Sequence, residues 1–178
     1  MHSLQVSLGG ALVACLAAGC GCAPAVAPQA IHRMGERVSA GSLSYNVFET
    51  QWKAQLGEGQ GAGATGATGP RVPKDRFFLI RLHVVNGGSS DVMVPTLTLV
   101  DDSGQSYTEL SDGDQVPSWI GFLRRVKPAE TLEGNVVFDV PPKHYRLQVS
   151  DETSQKTLDI DIPLSFSTES PEIPAPVQ

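Results

Sequence analysis

The side chains best equipped for chemistry in this chain are few and scattered. Its three cysteines, Cys15, Cys20 and Cys22, crowd together near the N-terminus. A cysteine can pair as a disulfide, ligate zinc or carry an acyl group. No cysteine follows position 22, so no disulfide framework can staple the rest of the chain. A Cys-x-Cys zinc site needs further ligands at the right spacing, and only His32 is near, on a stretch rich in proline and alanine. His2, His83 and His144 form no pair at ligand spacing, and His32-Arg33-Met34 is a His-x-Met copper pattern with no further methionine or histidine beside it. Asp101, Asp102, Glu109, Asp112 and Asp114 gather carboxylates, which calcium would want. The EF-hand spacing and its terminal glutamate are missing, and aspartates in turns accept backbone hydrogen bonds instead. Gly61-Ala62-Gly63-Ala64-Thr65-Gly66 matches G-x-G-x-x-G, but it lies in a Gly/Ala/Thr run with no helix formers after it, so no pyrophosphate would meet a helix N-terminus. No serine sits in a Gly-x-Ser-x-Gly elbow. The residues therefore predict no catalytic set, no metal site and no cofactor.

Charge narrows the classes further. The 178 residues carry 13 basic and 19 acidic side chains, a net charge of -6. Nucleic-acid binders carry a basic face, so no nucleic-acid partner is expected. At 40% hydrophobic the chain is globular. Residues 1–32 contain no Asp, Glu, Lys or Arg, and the first charge is Arg33. Within that zone residues 9–20, GGALVACLAAGC, form a short apolar run ending in small residues, the shape of a secretory signal. The leading segment, MHSLQVS, lacks the usual Lys or Arg.

Leu16-Ala17-Ala18-Gly19-Cys20 resembles the bacterial lipobox, in which the cysteine thiol is diacylated and becomes residue one after cleavage. Here Leu stands one place further from the cysteine than the usual pattern has it. Leu12-Val13-Ala14-Cys15 and Cys22 are the alternative sites. The resemblance implies a signal over residues 1–19, a lipidated Cys20 carrying palmitate-type chains, and an extracytoplasmic protein anchored to a membrane. Two acyl chains suffice for stable anchoring. Gly21, where Asp commonly retains lipoproteins at the inner membrane, favours an outer-membrane or periplasmic setting.

Behind the cysteines, residues 21–34 read as an extended tether of at most roughly 50 Å. Residues 166–178, with three prolines between Pro171 and Pro176, read as a disordered tail. Between them residues 35–165 predict one all-β domain, because the hydrophobic period is two. Phe78, Ile80, Leu82 and Val84 alternate with Arg81 and His83; Tyr145, Leu147 and Val149 alternate with His144, Arg146 and Gln148; Leu158, Ile160 and Ile162 alternate with Asp159 and Asp161. Leu132, Val136, Phe138 and Val140 share one side of a further strand. Turn signals at 86–88, 101–104, 127–129, 141–143 and 151–153 separate these runs. The pattern predicts an antiparallel β-sandwich with a flexible Gly-rich loop over residues 57–75 and one helical turn at 117–123.

The order of these elements carries a family resemblance. The strand ending in Asn86-Gly87, the Asp102-Ser103-Gly104 turn, and Pro128-x-Glu130 ahead of Val137-Phe138-Asp139-Val140-Pro141 together resemble the telokin-like, immunoglobulin-like domain-of-unknown-function family of bacterial envelope lipoproteins. That family is also similar in shape to a small secreted mycobacterial antigen. The resemblance covers about residues 35–165 and implies an immunoglobulin-like sandwich.

One segment stands out as an interaction surface. Trp119, Ile120 and Phe122 precede Arg124 and Arg125, and large apolar side chains beside cations suit a partner or membrane-proximal patch. The expectation is a non-catalytic, membrane-anchored envelope lipoprotein that binds another envelope protein or acts as a scaffold. The alternative is a periplasmic carrier of a small ligand or metal ion, using the acidic segment 101–114.

Overall fold

The computed structural model describes residues 30–57 and 69–165. Cys20, the signal segment, the G-x-G-x-x-G match and the tail from 166 lie outside the described residues. The described chain forms eleven strands: β1 (Ile31–Arg33), β2 (Arg37–Ala40), β3 (Leu43–Lys53), β4 (Phe77–Asn86), β5 (Val92–Val94), β6 (Thr98–Asp101), β7 (Ser106–Thr108), β8 (Arg124–Val126), β9 (Thr131–Asp139), β10 (Tyr145–Ser150) and β11 (Thr157–Ile162). They build a five-stranded sheet A, ordered β1-β11-β10-β6-β7, and a four-stranded sheet B, ordered β2-β3-β4-β9. A short β5-β8 ribbon stands beside them. Every pairing is antiparallel except β1 with β11.

The two sheets form a sandwich because their alternating faces meet. Val38, Tyr45, Val47, Phe78, Ile80, Leu82, Val84, Val136 and Phe138 from sheet B pack with Leu99, Tyr145, Leu147, Val149, Ile160 and Ile162 from sheet A. Each such burial contributes about 1.5–3 kcal/mol of transfer free energy. The alternation expected in β4, β9 and β10 is present. In β11 Ile160 and Ile162 are buried as expected, but Asp159 is buried as well, where Arg146 and Gln148 donate to its carboxylate. Each of these strands ends within a residue or two of its expected limits.

Two buried polar residues organise the turns. Asn86 is fully buried; its Nδ2 donates to the carbonyls of Ser90 (2.7 Å) and Val126 (3.0 Å), and its Oδ1 accepts from Gly88 N (2.8 Å). Asp101, also buried, accepts at Oδ1 from the backbone of Ser103 and Gln105, both at 3.0 Å, and at Oδ2 from Lys143 Nζ at 2.8 Å. The hydrogen bond from Lys143, then that from Ser103, holds the Asp101 carboxyl well below the ordinary range.

Three expectations are corrected. The tether does not run to Met34: Ile31–Arg33 form β1, and Met34 packs against the core. Three residues make no independent strand, so β1 exists because β11 offers an edge to dock on. The Gly-rich loop is narrower than 57–75: Leu56 and Arg71 close it with two backbone hydrogen bonds of 3.0 and 2.9 Å, and Asp139 accepts from the amides of Lys74 (2.7 Å) and Asp75 (2.9 Å). Residues 117–123 form no helical turn; Trp119 makes a parallel bridge to Asn135.

Candidate functional site

The outer face of sheet B differs from one end to the other. Near Phe77 and Leu79 it is roofed: these side chains join Leu56, Val116 and Val137 in a second apolar cluster beneath residues 110–119. The roof is pinned along the free edge of β9, where Asn135 N donates to Ser118 O (2.9 Å), Ile120 N to Asn135 O (3.2 Å) and Leu110 N to Val137 O (2.8 Å). Two glycines make room for it. A Cβ on Gly113 would overlap the Trp119 ring, and one on Gly134, whose φ is +153°, would overlap the Ser118 carbonyl.

Beyond the roof the face lies open, and its side chains are set by a β-bulge. Leu43, Tyr45 and Val47 of β3 point into the core; the register then shifts between Val47 and Glu49. The extra residue reverses the parity, so Trp52 turns inward to stack on Phe78 at 4.1 Å, and Glu49 and Gln51 face outward with Phe48, which is 37% exposed.

Phe48 is the hub of a polar cluster. The Arg81 guanidinium lies 5.5 Å from its ring centroid, and the His83 ring lies 4.6 Å away. Arg81 Nη2 donates to Glu133 Oε1 at 2.8 Å, and Nη1 stands 3.8 Å from Glu49 Oε2. His83 Nε2 lies 3.1 Å from Glu133 Oε2. Arg81, and to a lesser degree His83, holds the Glu133 carboxyl below its ordinary range. On the roof side of the cluster lies a hollow of about 180 Å³ lined by Glu49, Gln51, Arg81, Ser118 and Asn135. On the other side lies one of about 230 Å³, lined by Arg37, Ser44, Asn46 and His83. Side-chain amides, hydroxyls and paired charges in shallow hollows can recognise a polar partner.

The patch expected from sequence is dispersed. Trp119 is half-buried over the second apolar cluster, Ile120 is half-buried against the main core, and Phe122 is half-buried. Arg124 is 2% exposed and paired with Glu109 inside the molecule, so it leaves the surface altogether. Arg125 remains exposed, 3.9 Å from Asp91, beside Leu123, which is 81% exposed.

The acidic segment is divided among cations. Asp101 meets Lys143, Asp102 meets His144, Glu109 meets Arg124, and Asp112 meets Arg71 at 3.5 Å. Among the described residues no three His, Cys, Asp or Glu side chains form a metal-holding group.

Sequence reasoning missed the Phe48 cluster. Alternation alone puts Arg81 and His83 on the polar side of their strand and Phe48 opposite residues 43, 45 and 47. The signal that Glu49 joins them is the parity change in LSYNVFETQWK, where the apolar residues 43, 45 and 47 are odd and Trp52 is even.

Known proteins share this architecture. The model of a domain of unknown function, DUF4352, matches residues 32–160. No curated protein matches the chain. Among solved structures, the yjhA protein of Bacillus subtilis is 16% identical, with 75% of this chain and 100% of that one covered, at a TM-score of 0.55. A secreted protein of Mycobacterium tuberculosis, MPT63, is 14% identical, with 76% and 97% covered, at 0.51. A functionally unknown protein of Listeria monocytogenes is 12% identical, with 73% and 82% covered, at 0.51. At these identities the likeness is one of fold, and it includes the shape similarity to a secreted mycobacterial protein expected above. The chain belongs to the DUF4352 family.

Proposed function

We propose that this member of the DUF4352 family is a membrane-anchored, extracytoplasmic binding module that engages a partner through the open half of sheet B. The anchor is Cys20, and the β-sandwich is non-catalytic. One observation carries the reading. The outer face of sheet B is roofed at one end and open at the other, and the open end presents Arg81, His83, Glu49 and Glu133 already held by cross-strand pairing around Phe48. Prearranged side chains cost less to fix on binding than free ones. The partner is another envelope protein, for which the module serves as a docking or scaffolding element.

The immunoglobulin likeness rests on the two-layer packing and on Tyr145, whose hydroxyl donates to the Pro141 carbonyl at 2.5 Å, four residues upstream, as at the corner of such sandwiches. The strand order supports it too: successive β3 and β4 pair in one sheet beside β9, as immunoglobulin strands A and B do beside E, and the chain crosses after β4 to the sheet that holds β6, β10 and β11, the places of C, F and G.

Two measurements test the two halves of the reading. A photo-crosslinking residue placed at Asn46 or Gln51 traps a discrete partner in cells, and one at Ser106, on the outer face of sheet A, does not. Equal trapping from both faces, or none from either, refutes the binding face. Metabolic labelling with palmitate marks the protein, and Cys20→Ala abolishes the label. Label retained in that variant moves the anchor to Cys15 or Cys22.

A further inference from the structure

His144 sits just ahead of β10 with an aspartate at each ring nitrogen. Its Nδ1 lies 2.9 Å from Asp102 Oδ1, on the turn between β6 and β7, and its Nε2 lies 2.7 Å from Asp161 Oδ1, on β11. A neutral imidazole has one N–H and one lone pair, so it can satisfy only one of two carboxylates and turns its lone pair on the other. The imidazolium donates to both. The geometry is thus built for the protonated ring.

The charges around it agree. Lys143 is turned to Asp101 at 2.8 Å. Arg146, two residues along β10, reaches Asp159 at 3.4 Å. Arg33 of β1 is the register partner of Asp161. Of the four carboxylates here, Asp101 and Asp159 are paired with the permanent cations Lys143 and Arg146, whereas Asp102 and Asp161 are each paired with His144. A proton on His144 supplies the positive charge that both of these face.

We propose that His144 is a proton-operated fastener, which ties the β6–β7 turn and the start of β10 to β11 when charged and releases them when neutral. The hydrogen bonds to Asp102 and then Asp161 raise its pKa above that of an ordinary histidine. The sign follows from that direction: the added stability is fully present below the unfolded-state value and is lost as pH rises through the higher folded value. The loss therefore falls above the ordinary histidine value of about 6.5. β11 is also the strand on which β1 docks, so the fastener acts on the element that holds the N-terminal strand in place.

An NMR titration of the full chain, following the imidazole C–H resonances, tests this. The His144 midpoint is expected above about 6.5, the ordinary histidine value. Asp102→Asn and Asp161→Asn should each move it down. In thermal melts the wild type should exceed His144→Gln by several degrees below about pH 6, and that gap should shrink steadily as the pH is raised above about 6.5. A midpoint at or below the ordinary value overturns the fastener, as does a gap that stays constant with pH. Should His144→Gln fail to fold, the midpoints of the two asparagine variants, nearly isosteric with wild type, decide the question alone.

Discussion

Two arginine–glutamate pairs in this molecule have the same chemistry and opposite settings. Arg81 and Glu133 lie on the open face of sheet B, each with more than a third of its side chain exposed. Arg124 and Glu109 are wholly enclosed. The exposed pair is screened by water and contributes about 0–1 kcal/mol to stability. The enclosed pair has given up its hydration, and the repayment is incomplete. Arg124 Nη2 donates to Glu109 Oε1, which also accepts from Leu97 N at 2.8 Å, while Arg124 Nε and Nη1 and Glu109 Oε2 have no protein partner. Burial pushes the Glu109 carboxyl up, against the downward pull of Arg124. A paired charge in the interior constrains the fold; the same pair on a sheet face is free to trade partners. Location, more than residue type, decides which pair serves structure and which can serve recognition.

The largest test of that contrast is to remove one buried partner. Arg124→Met should cost about 3–5 kcal/mol in urea unfolding, because Glu109 is left buried without its cation. The double variant Glu109→Leu with Arg124→Met should recover most of that loss, since both charges go together. A double variant as unstable as the single one would mean that the pair itself, rather than its imbalance, holds the fold. A smaller effect is expected on the open face. Arg81→Met should change stability by less than about 1 kcal/mol, and that small change should fade with added salt. The same substitution should abolish partner trapping from position 46 or 51. An Arg81→Met loss as large as that of Arg124→Met would erase the distinction between the two pairs.

The sequence made most of the framework legible, because a half-buried strand writes its burial as alternation. Phe78, Ile80, Leu82 and Val84 fall on one side by their spacing alone, and all four are core residues. What it hid depended on distant partners. Arg124-Arg125-Val126-Lys127 reads as a solvated cationic run; only Glu109, folded against it from a loop, makes Arg124 an interior residue. Ile31–Arg33 reads as part of a proline-rich tether until β11 is known to offer an edge. The second apolar cluster had a local signal that alternation obscured: Phe77-Phe78-Leu79-Ile80 is apolar without interruption, as a strand covered on both faces should be. The candidate face was less legible still, since a single bulge reverses which residues reach solvent.

The parallel docking of β1 on β11 has a mechanical consequence. Its three paired positions lie side by side along the strand, with hydrogen bonds running across it. A pull on the chain ahead of Ile31, directed along the strand, loads those bonds in shear, all at once, instead of peeling them singly. If the membrane holds the upstream end, β1 is where tension enters the domain. A short strand of this kind can take the strain of drag or jostling before the sandwich behind it feels any load.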